Sequence, residues 1–251
     1  MCSRDREPEE SSGAAAFFDV DGTLVSTHIV HQYVHLRRVL ARRCRGTWGS
    51  LIFPLWLLGF YVKCMHYIYL DRISRTRMNV VFYRNYQGLA SEQVRQAAED
   101  CFRNVLKPHL FDQAAGCVDQ HLRAGRRVVL VTGSIDFMIE PLAQYLSERF
   151  HAGPRVDLLA RTLEERRGVF TGALDGPPIG GREKAQVIER FAATQGIDLA
   201  SSYAYGDSIA DLPMLETVGH PIVVNADREL AKRAASRGWP SRSWSLSSNG
   251  R

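Results

Sequence analysis

Four aspartates and one lysine in this chain have the types and spacing needed to handle a phosphoryl group. Asp19 and Asp21 stand in the run Asp19-Val20-Asp21-Gly22-Thr23, directly after a small-to-apolar stretch that starts at Ala14. Residues two apart on an extended strand project to the same side, and Gly22 lets the chain turn sharply behind them. A carboxylate is ionised at neutral pH, so it can attack phosphorus without a base to activate it. The phosphate is also anionic. A magnesium ion on hard oxygen ligands is therefore expected, to bring nucleophile and phosphate together and neutralise charge. Asp207 and Asp211 supply further oxygens. They are an i, i+4 pair at a helix start, which puts both carboxylates on one face. Asp207, at the end of the preceding strand, is expected to be the direct ligand, with Asp211 supporting it. Thr132 ends the apolar run Arg127–Val131. Its hydroxyl, with the backbone N–H groups of Gly133 and Ser134, is expected to hold phosphate oxygens at a helix N-terminus. Lys184, early in a helix after Gly180-Gly181, is expected to neutralise the nucleophile and the incoming phosphate. Taken singly, these could be a surface turn, a decorated helix, a solvated lysine and an ordinary strand end. Their order along the chain argues for one site.

The elements that must position them follow from periodicity. Short apolar runs at Ala14–Val20, Arg127–Val131, Ser202–Tyr205 and His220–Val224 each stop at polar or Gly-containing turns, which reads as buried strands. Helical patterns cover 109–124, 135–149, 181–195, 208–218 and 226–237. This alternation predicts an α/β fold, a Rossmann-like parallel sheet flanked by helices, with the site at the carboxyl ends of the strands. The stretch 26–106 breaks the alternation. It reads as an all-helical cap inserted after the first strand, so that 14–25 and 107–240 form the catalytic core. Two further strands are expected within 156–171. Residues 1–13 read as a disordered lead-in and 241–251 as a Ser-rich flexible tail.

The 251 residues suit one domain with an insertion. The apolar share of 45% and charged share of 24% are those of a soluble globular protein. The net charge of +5 admits nucleic acid, anionic lipid or small phosphorylated partners. There is no recognisable nucleic-acid motif, so a nucleic-acid partner is not expected. Five cysteines with no C-x-x-C pair argue against a disulfide framework or zinc site and for free thiols in a reducing cytoplasm. The first residues lack the apolar segment of a secretory signal.

Together the motifs D-x-D-G-T, strand–T-G-S, helix-start Lys and G-D-x-x-x-D resemble the haloacid dehalogenase superfamily. The position of the helical insertion is similar to that of the subgroup containing phosphoserine phosphatases. The resemblance implies Asp19 as nucleophile and metal ligand. Asp21 would be the acid–base residue, giving its backbone carbonyl to the metal. Thr132, Gly133 and Lys184 would bind phosphate, and Asp207 would ligate Mg2+ with Asp211 behind it. Two positions depart from phosphoserine phosphatases: His28 stands where a Glu is expected to read the substrate ammonium, and Ala210 where Asn is common. The runs V-T-G-S-x-x-x-x-I-E-P-L and S-Y-A-Y-G-D-S-x-x-D-L-P-M-L-E, with the apolar cap, look closer to the branch containing C-type phosphatidylglycerophosphate phosphatases.

Within the cap, Leu51–Val62 is a twelve-residue apolar run, short of the ~20 residues a membrane span needs. Arg37, Arg38, Arg42, Arg43 and Arg45 precede it; Arg72, Arg75 and Arg77 follow; Trp48, Trp56 and Tyr61 lie nearby. The segment reads as a packed cap helix, as one lying in the interface of an anionic membrane from the cytoplasmic side, or, against its length, as a span. His28, His31 and His35 share a helix face and, with no acidic residue near in sequence, read as an exposed face, a substrate-reading stripe led by His28, or a second metal site. A phosphorylated metabolite or lipid-like phosphate is the expected substrate. A non-catalytic binding module is the alternative of another class, and intact Asp19, Asp21, Lys184 and Asp207 count against it.

Overall fold

The structure, a computed structural model, describes residues 13–43, 47–150 and 156–246, with the backbone course alone for 47–52. The side chains of Trp48, Leu51 and Ile52, together with Arg45, Cys2, Cys44 and the lead-in 1–12, lie outside the described residues.

The chain opens on β1 (Ala15–Phe18), four uncharged residues that are all buried. It then runs through α1 (Ile29–Arg43), α2 (Thr47–Ile73), α3 (Arg75–Tyr83), a 3₁₀ turn at Arg84–Tyr86 and α4 (Ser91–Cys101). Wide and tight turns at Phe102–Leu106 and Lys107–His109 lead to α5 (Asp112–Arg123). After that come β2 (Arg127–Ile135), α6 (Asp136–Arg149), β3 (Asp157–Arg161), β4 (Leu163–Arg166), β5 (Val169–Leu174) and α7 (Arg182–Gln195). The last part holds β6 (Tyr203–Gly206), a 3₁₀ turn at Ile209–Asp211, α8 (Leu212–Glu216), β7 (His220–Val224), α9 (Arg228–Arg237) and β8 (Ser241–Arg242). Local chemistry fixes several ends. Asp227 caps α9 by accepting from the backbone of Glu229 and Leu230, and left-handed Gly238 closes it.

The main sheet has the order β3-β2-β1-β6-β7-β8 and is parallel throughout. Side chains alternate across it. Ala16, Phe18, Val128 and Leu130 face a core shared with α5 and α6, while Ala15, Phe17, Val129 and Val131 face one shared with α7, α8 and α9. The sheet is thus an α/β, Rossmann-like layer with helices on both faces. Strand order reverses between β1 and β6, and the crevice beyond the carboxyl ends at such a reversal is where these folds bind ligands.

The helices between β1 and β2 stack over that crevice around an aromatic centre. Tyr33, Trp56, Phe60, Tyr67, Phe82 and Tyr86 meet there with ring centroids 4.9–6.1 Å apart in successive contacts.

Two expectations need correction. The stretch 156–171 was expected to hold two strands, but β3, β4 and β5 occupy the region. β4 and β5 form a separate antiparallel pair that bonds to the helical cap: Gly88 N–H donates to Phe170 O, Phe170 N–H to Leu89 O and Ser91 N–H to Gly168 O, at 2.9–3.0 Å. The expected tail starting at Ser241 instead begins with β8, parallel to β7. Trp244 beyond it is buried, and its backbone N–H and C=O both bond to the Asn225 amide. A Ser-rich composition hid this, because the anchoring is done by one tryptophan and by backbone groups. Residues 247–251 lie outside the described residues.

Candidate active site

Asp19 leaves the end of β1, where its backbone N–H donates to Tyr205 O of β6 at 2.9 Å. It is buried, and its Oδ1 accepts from Lys184 Nζ. Lys184, also buried, reaches in from the first turn of α7 and donates to Asp211 Oδ1 as well, at 2.6 Å. The other Asp211 oxygen accepts from the backbone N–H groups of Asp207 and Ser208 and from Ser208 Oγ, at 3.1–3.2 Å. Asp211 is therefore fully engaged as a brace. Asp207 has one weak side-chain bond, from Thr23 Oγ1 at 3.3 Å. Gly22, at φ +95°, lies so close to the Asp207 carboxylate that a Cβ there would collide with it.

Carboxylate oxygens of Asp19, Asp207 and Asp211 lie within 4.8 Å of one another, forming the sole group among the described residues with metal-holding spacing. Burial raises the Asp19 carboxyl, against the pull of Lys184. Burial, then the charges of Asp19 and Asp211, push Asp207 up to about 8. Burial also works against the Lys184 ammonium, but Asp19 and Asp211 outweigh it and hold the proton more firmly than usual.

Asp21 lies across from this cluster. Its Oδ2 accepts from Ser134 Oγ at 2.7 Å and its Oδ1 from Gln32 Nε2, on α1, at 2.9 Å. Burial first, then the Asp19 charge, raises its carboxyl to about 7. One cavity of about 440 Å³ joins these groups to the cap. Its floor includes Asp19, Asp21, Lys184 and Asp207. Its far wall includes His28, Ile29, Tyr67, Ile68, Met78 and Asn79, and Asp71 and Arg75 also line it.

The T-G-S segment differs from the expectation. Thr132 to Ser134 do not form a helix N-terminus: β2 continues to Ile135, and α6 starts after it. The Ser134 N–H donates to Thr132 Oγ1 at 2.9 Å and so is turned away from a ligand. Thr132 itself is fully buried behind the cavity, whereas Gly133 lines it. A Cβ on Gly133 would meet the Asn79 amide and Ile179 O, so glycine keeps that wall open.

The histidine face is partly exposed, as one of its readings held: His28 and His31 are exposed and His35 is half-buried. His28 lines the cavity, and desolvation of its ring, then the nearness of His31 and Arg75, lowers its pKa. His35 is tied instead to Asp100 of α4 at 2.7 Å. The acidic partner absent from the local sequence arrives from 65 residues away, and the three histidines do not converge on a metal. Sequence reasoning missed Gln32, Asn79, Asp71 and the Ser134 side chain. Gln32 could have been suspected, since it is a polar residue on the side of α1 that also carries Tyr33 and Leu36. Ala210, like His28, lines the cavity.

A parallel α/β sheet with a buried carboxylate–lysine cluster at its reversal point, closed by a helical cap, defines a hydrolase of the phosphoryl-handling type. Residues 16–216 match the haloacid dehalogenase-like hydrolase family, and the chain belongs to it. It is 34% identical over 236 residues to a probable phosphatase of Mycobacterium tuberculosis, covering 92% of this chain and 75% of that protein. It is 30% identical over 249 residues to a phosphoserine phosphatase of the same organism, covering 96% and 74%. A solved structure of a Bordetella pertussis protein of unknown function superposes with a TM-score of 0.75 at 26% identity, over 92% of this chain and 98% of that one. The protein is thus an HAD-type phosphatase. Among the described residues, no helix is long and apolar enough to cross a membrane.

Proposed function

We propose that the protein hydrolyses a phosphate monoester through a covalent phosphate on Asp19. The single observation that supports this best is Asp19 itself, a buried carboxylate held by Lys184 on one oxygen at the floor of a cavity, with Asp21 opposite it. In the first step the free oxygen of Asp19 attacks phosphorus, the bond to the substrate oxygen breaks, and Asp21 gives that oxygen its proton. In the second step Asp21 takes a proton from water, the water oxygen attacks phosphorus, and Asp19 is released with inorganic phosphate. A carboxyl near 7 can serve both as acid and as base close to neutral pH. Gln32 and Ser134 hold its two oxygens in place between the steps.

The acidic cluster suits magnesium. The donors are hard oxygens, Asp19 and Asp211 are buried with Asp207 half-buried beside them, and Lys184 bonds two of the three carboxylates. Asp19 and Asp207 would hold the ion, together with the Asp21 backbone carbonyl, and Asp211 would brace them. Bound there, Mg2+ would neutralise charge between the nucleophile and the phosphate. Lys184 stabilises the charge on Asp19 and on the transferring group, and Gly133 leaves room for phosphate oxygens. Thr132 supports that segment through its bond to the Ser134 N–H rather than by a contact in the cavity.

For the leaving group, the apolar cap wall of Ile29, Val30, Tyr67, Ile68 and Met78 favours an alcohol with an apolar part, such as a lipid-like phosphate. A second reading, phosphoserine, is favoured by the named relative and by Asp71, an acid in the cavity wall that could meet an ammonium. The test is phosphate release, with and without Mg2+, from phosphoserine, glycerol phosphate, lysophosphatidate and phosphatidylglycerophosphate. Asp19→Asn should lower turnover at least about 1000-fold while the fold is retained; near-normal turnover would remove Asp19 from its role. Preference for phosphoserine that is lost in Asp71→Asn would establish the second reading.

A further inference from the structure

The cap helix α2 carries a long apolar face that nothing among the described residues covers. Leu55, Leu58, Val62 and Met65 are 67–72% exposed, and Tyr69 and Ile73 continue the same line to the end of the helix. The spacing of three, four, three, four and four residues places all six on one stripe. The helix is about 40 Å long at 1.5 Å per residue, and its opposite side, through Phe60 and Tyr67, is already committed to the aromatic centre of the cap. Single exposed apolar residues are ordinary; a contiguous stripe of this length marks a contact surface.

Charge selects the partner. Asp71 is the sole carboxylate between Asp21 and Glu92, against ten Lys and Arg residues in that stretch. It is already paired with Arg75 at 2.6 Å. The exposed polar positions on α2 beside the stripe are Lys63, His66 and Arg72, with no acid among them. Two copies meeting through this face would bring basic groups together without counter-charges. An anionic bilayer supplies them at headgroup level while accepting the apolar stripe below.

We infer that α2 docks the cap on the surface of an anionic lipid bilayer. The helix lies along the interface rather than crossing it. Its inner edge gives this a consequence for the site: Ile68 is half exposed and also lines the cavity above Asp19, together with Cys64 and Tyr67 of the same helix. The docking helix is one wall of the cavity.

Docking through this exposed face does not depend on which ester the site cleaves. The full chain is sedimented with vesicles of phosphatidylcholine alone and of phosphatidylcholine with phosphatidylglycerol. Binding to the anionic vesicles is expected, with weaker binding to the neutral ones and loss on adding salt. The triple variant Leu58→Gln, Val62→Gln, Met65→Gln should bind at least about tenfold less. None of these three residues lines the cavity, so hydrolysis of a soluble aryl phosphate should stay at the parent level and certify the fold. The inference is overturned if the parent protein stays in solution with anionic vesicles or if the variant binds as well as the parent. It is equally overturned if ultracentrifugation shows a dimer that the variant dissociates, which would make the stripe a self-interface. A protein that binds vesicles but cleaves only soluble esters would uphold the surface and remove the lipid-phosphate reading.

Discussion

A carboxylate can act as acid and base in turn only if something keeps it in place while its charge changes. For Asp21 that is done by two neutral donors, one from the sheet and one from the cap. Gln32→Leu should therefore lower kcat about tenfold with little change in KM, because the lost bond positions a proton rather than the substrate; steady-state kinetics on any accepted ester would check it. The metal has its own signature. Two buried carboxylates and a half-buried one against one lysine leave excess negative charge, so millimolar Mg2+ should raise the Tm in calorimetry by binding the folded state alone. Asp207→Asn should remove most of that rise. At this scale the grouping of the motif carboxylates and Lys184 was legible, because each stands at a strand end or in the first turn of a helix. Gln32 and Ser134 were not: their partner Asp21 lies 11 and 113 positions away, and residue type alone does not reveal such a pairing.

Elements show what a sequence encodes by period and what it leaves to packing. The strands and helices of the core followed from runs and alternation, but the anchoring of β8 did not. Trp244 is buried behind β7 and stacks near Tyr205 with ring centroids 6.1 Å apart. Trp244→Ala should cost about 3–5 kcal/mol in chemical denaturation, the range for emptying a large aromatic site. His121 ties α5 to β6, with Nε2 2.8 Å from Tyr205 Oη. Burial, then Arg126 and Arg242, lowers its pKa to about 4. Folded His121 thus stays neutral where the unfolded chain takes a proton. Its contribution is complete above about 6.5 and is lost as pH falls from there toward 4, at most about 3 kcal/mol. Denaturation midpoints across that window should fall with pH, and His121→Leu should flatten the decline. For α2, apolarity was plain in the sequence at Leu51–Val62, yet the division into a packed and an exposed side needed the neighbours Tyr33 and Phe82 in place.

For the molecule as a whole, the β4–β5 pair is clasped to the cap by three backbone bonds. Gly172 of β5, at φ +82°, approaches the Arg84 backbone so closely that a Cβ would meet Arg84 Cα at 3.1 Å. This edge of the cap is therefore held tightly to the core. The amides of Gly88, Ser91 and Phe170 should exchange with deuterium as slowly as those of β1, with or without a phosphate analogue; fast exchange would show the clasp opening. The same continuity governs how the protein comes apart. One buried cluster runs unbroken from Leu36 and Phe82 in the cap, through Phe18 and Leu130 in the sheet, to Val118 and Leu142 beneath. The cap owns no separate interior, so heating should give one calorimetric transition with equal van't Hoff and calorimetric enthalpies. Exchanging the cap for that of a relative would then be surgery on the core itself: a chimera must bring its half of the shared interior with it, and specificity in this architecture cannot be transplanted as a detachable part.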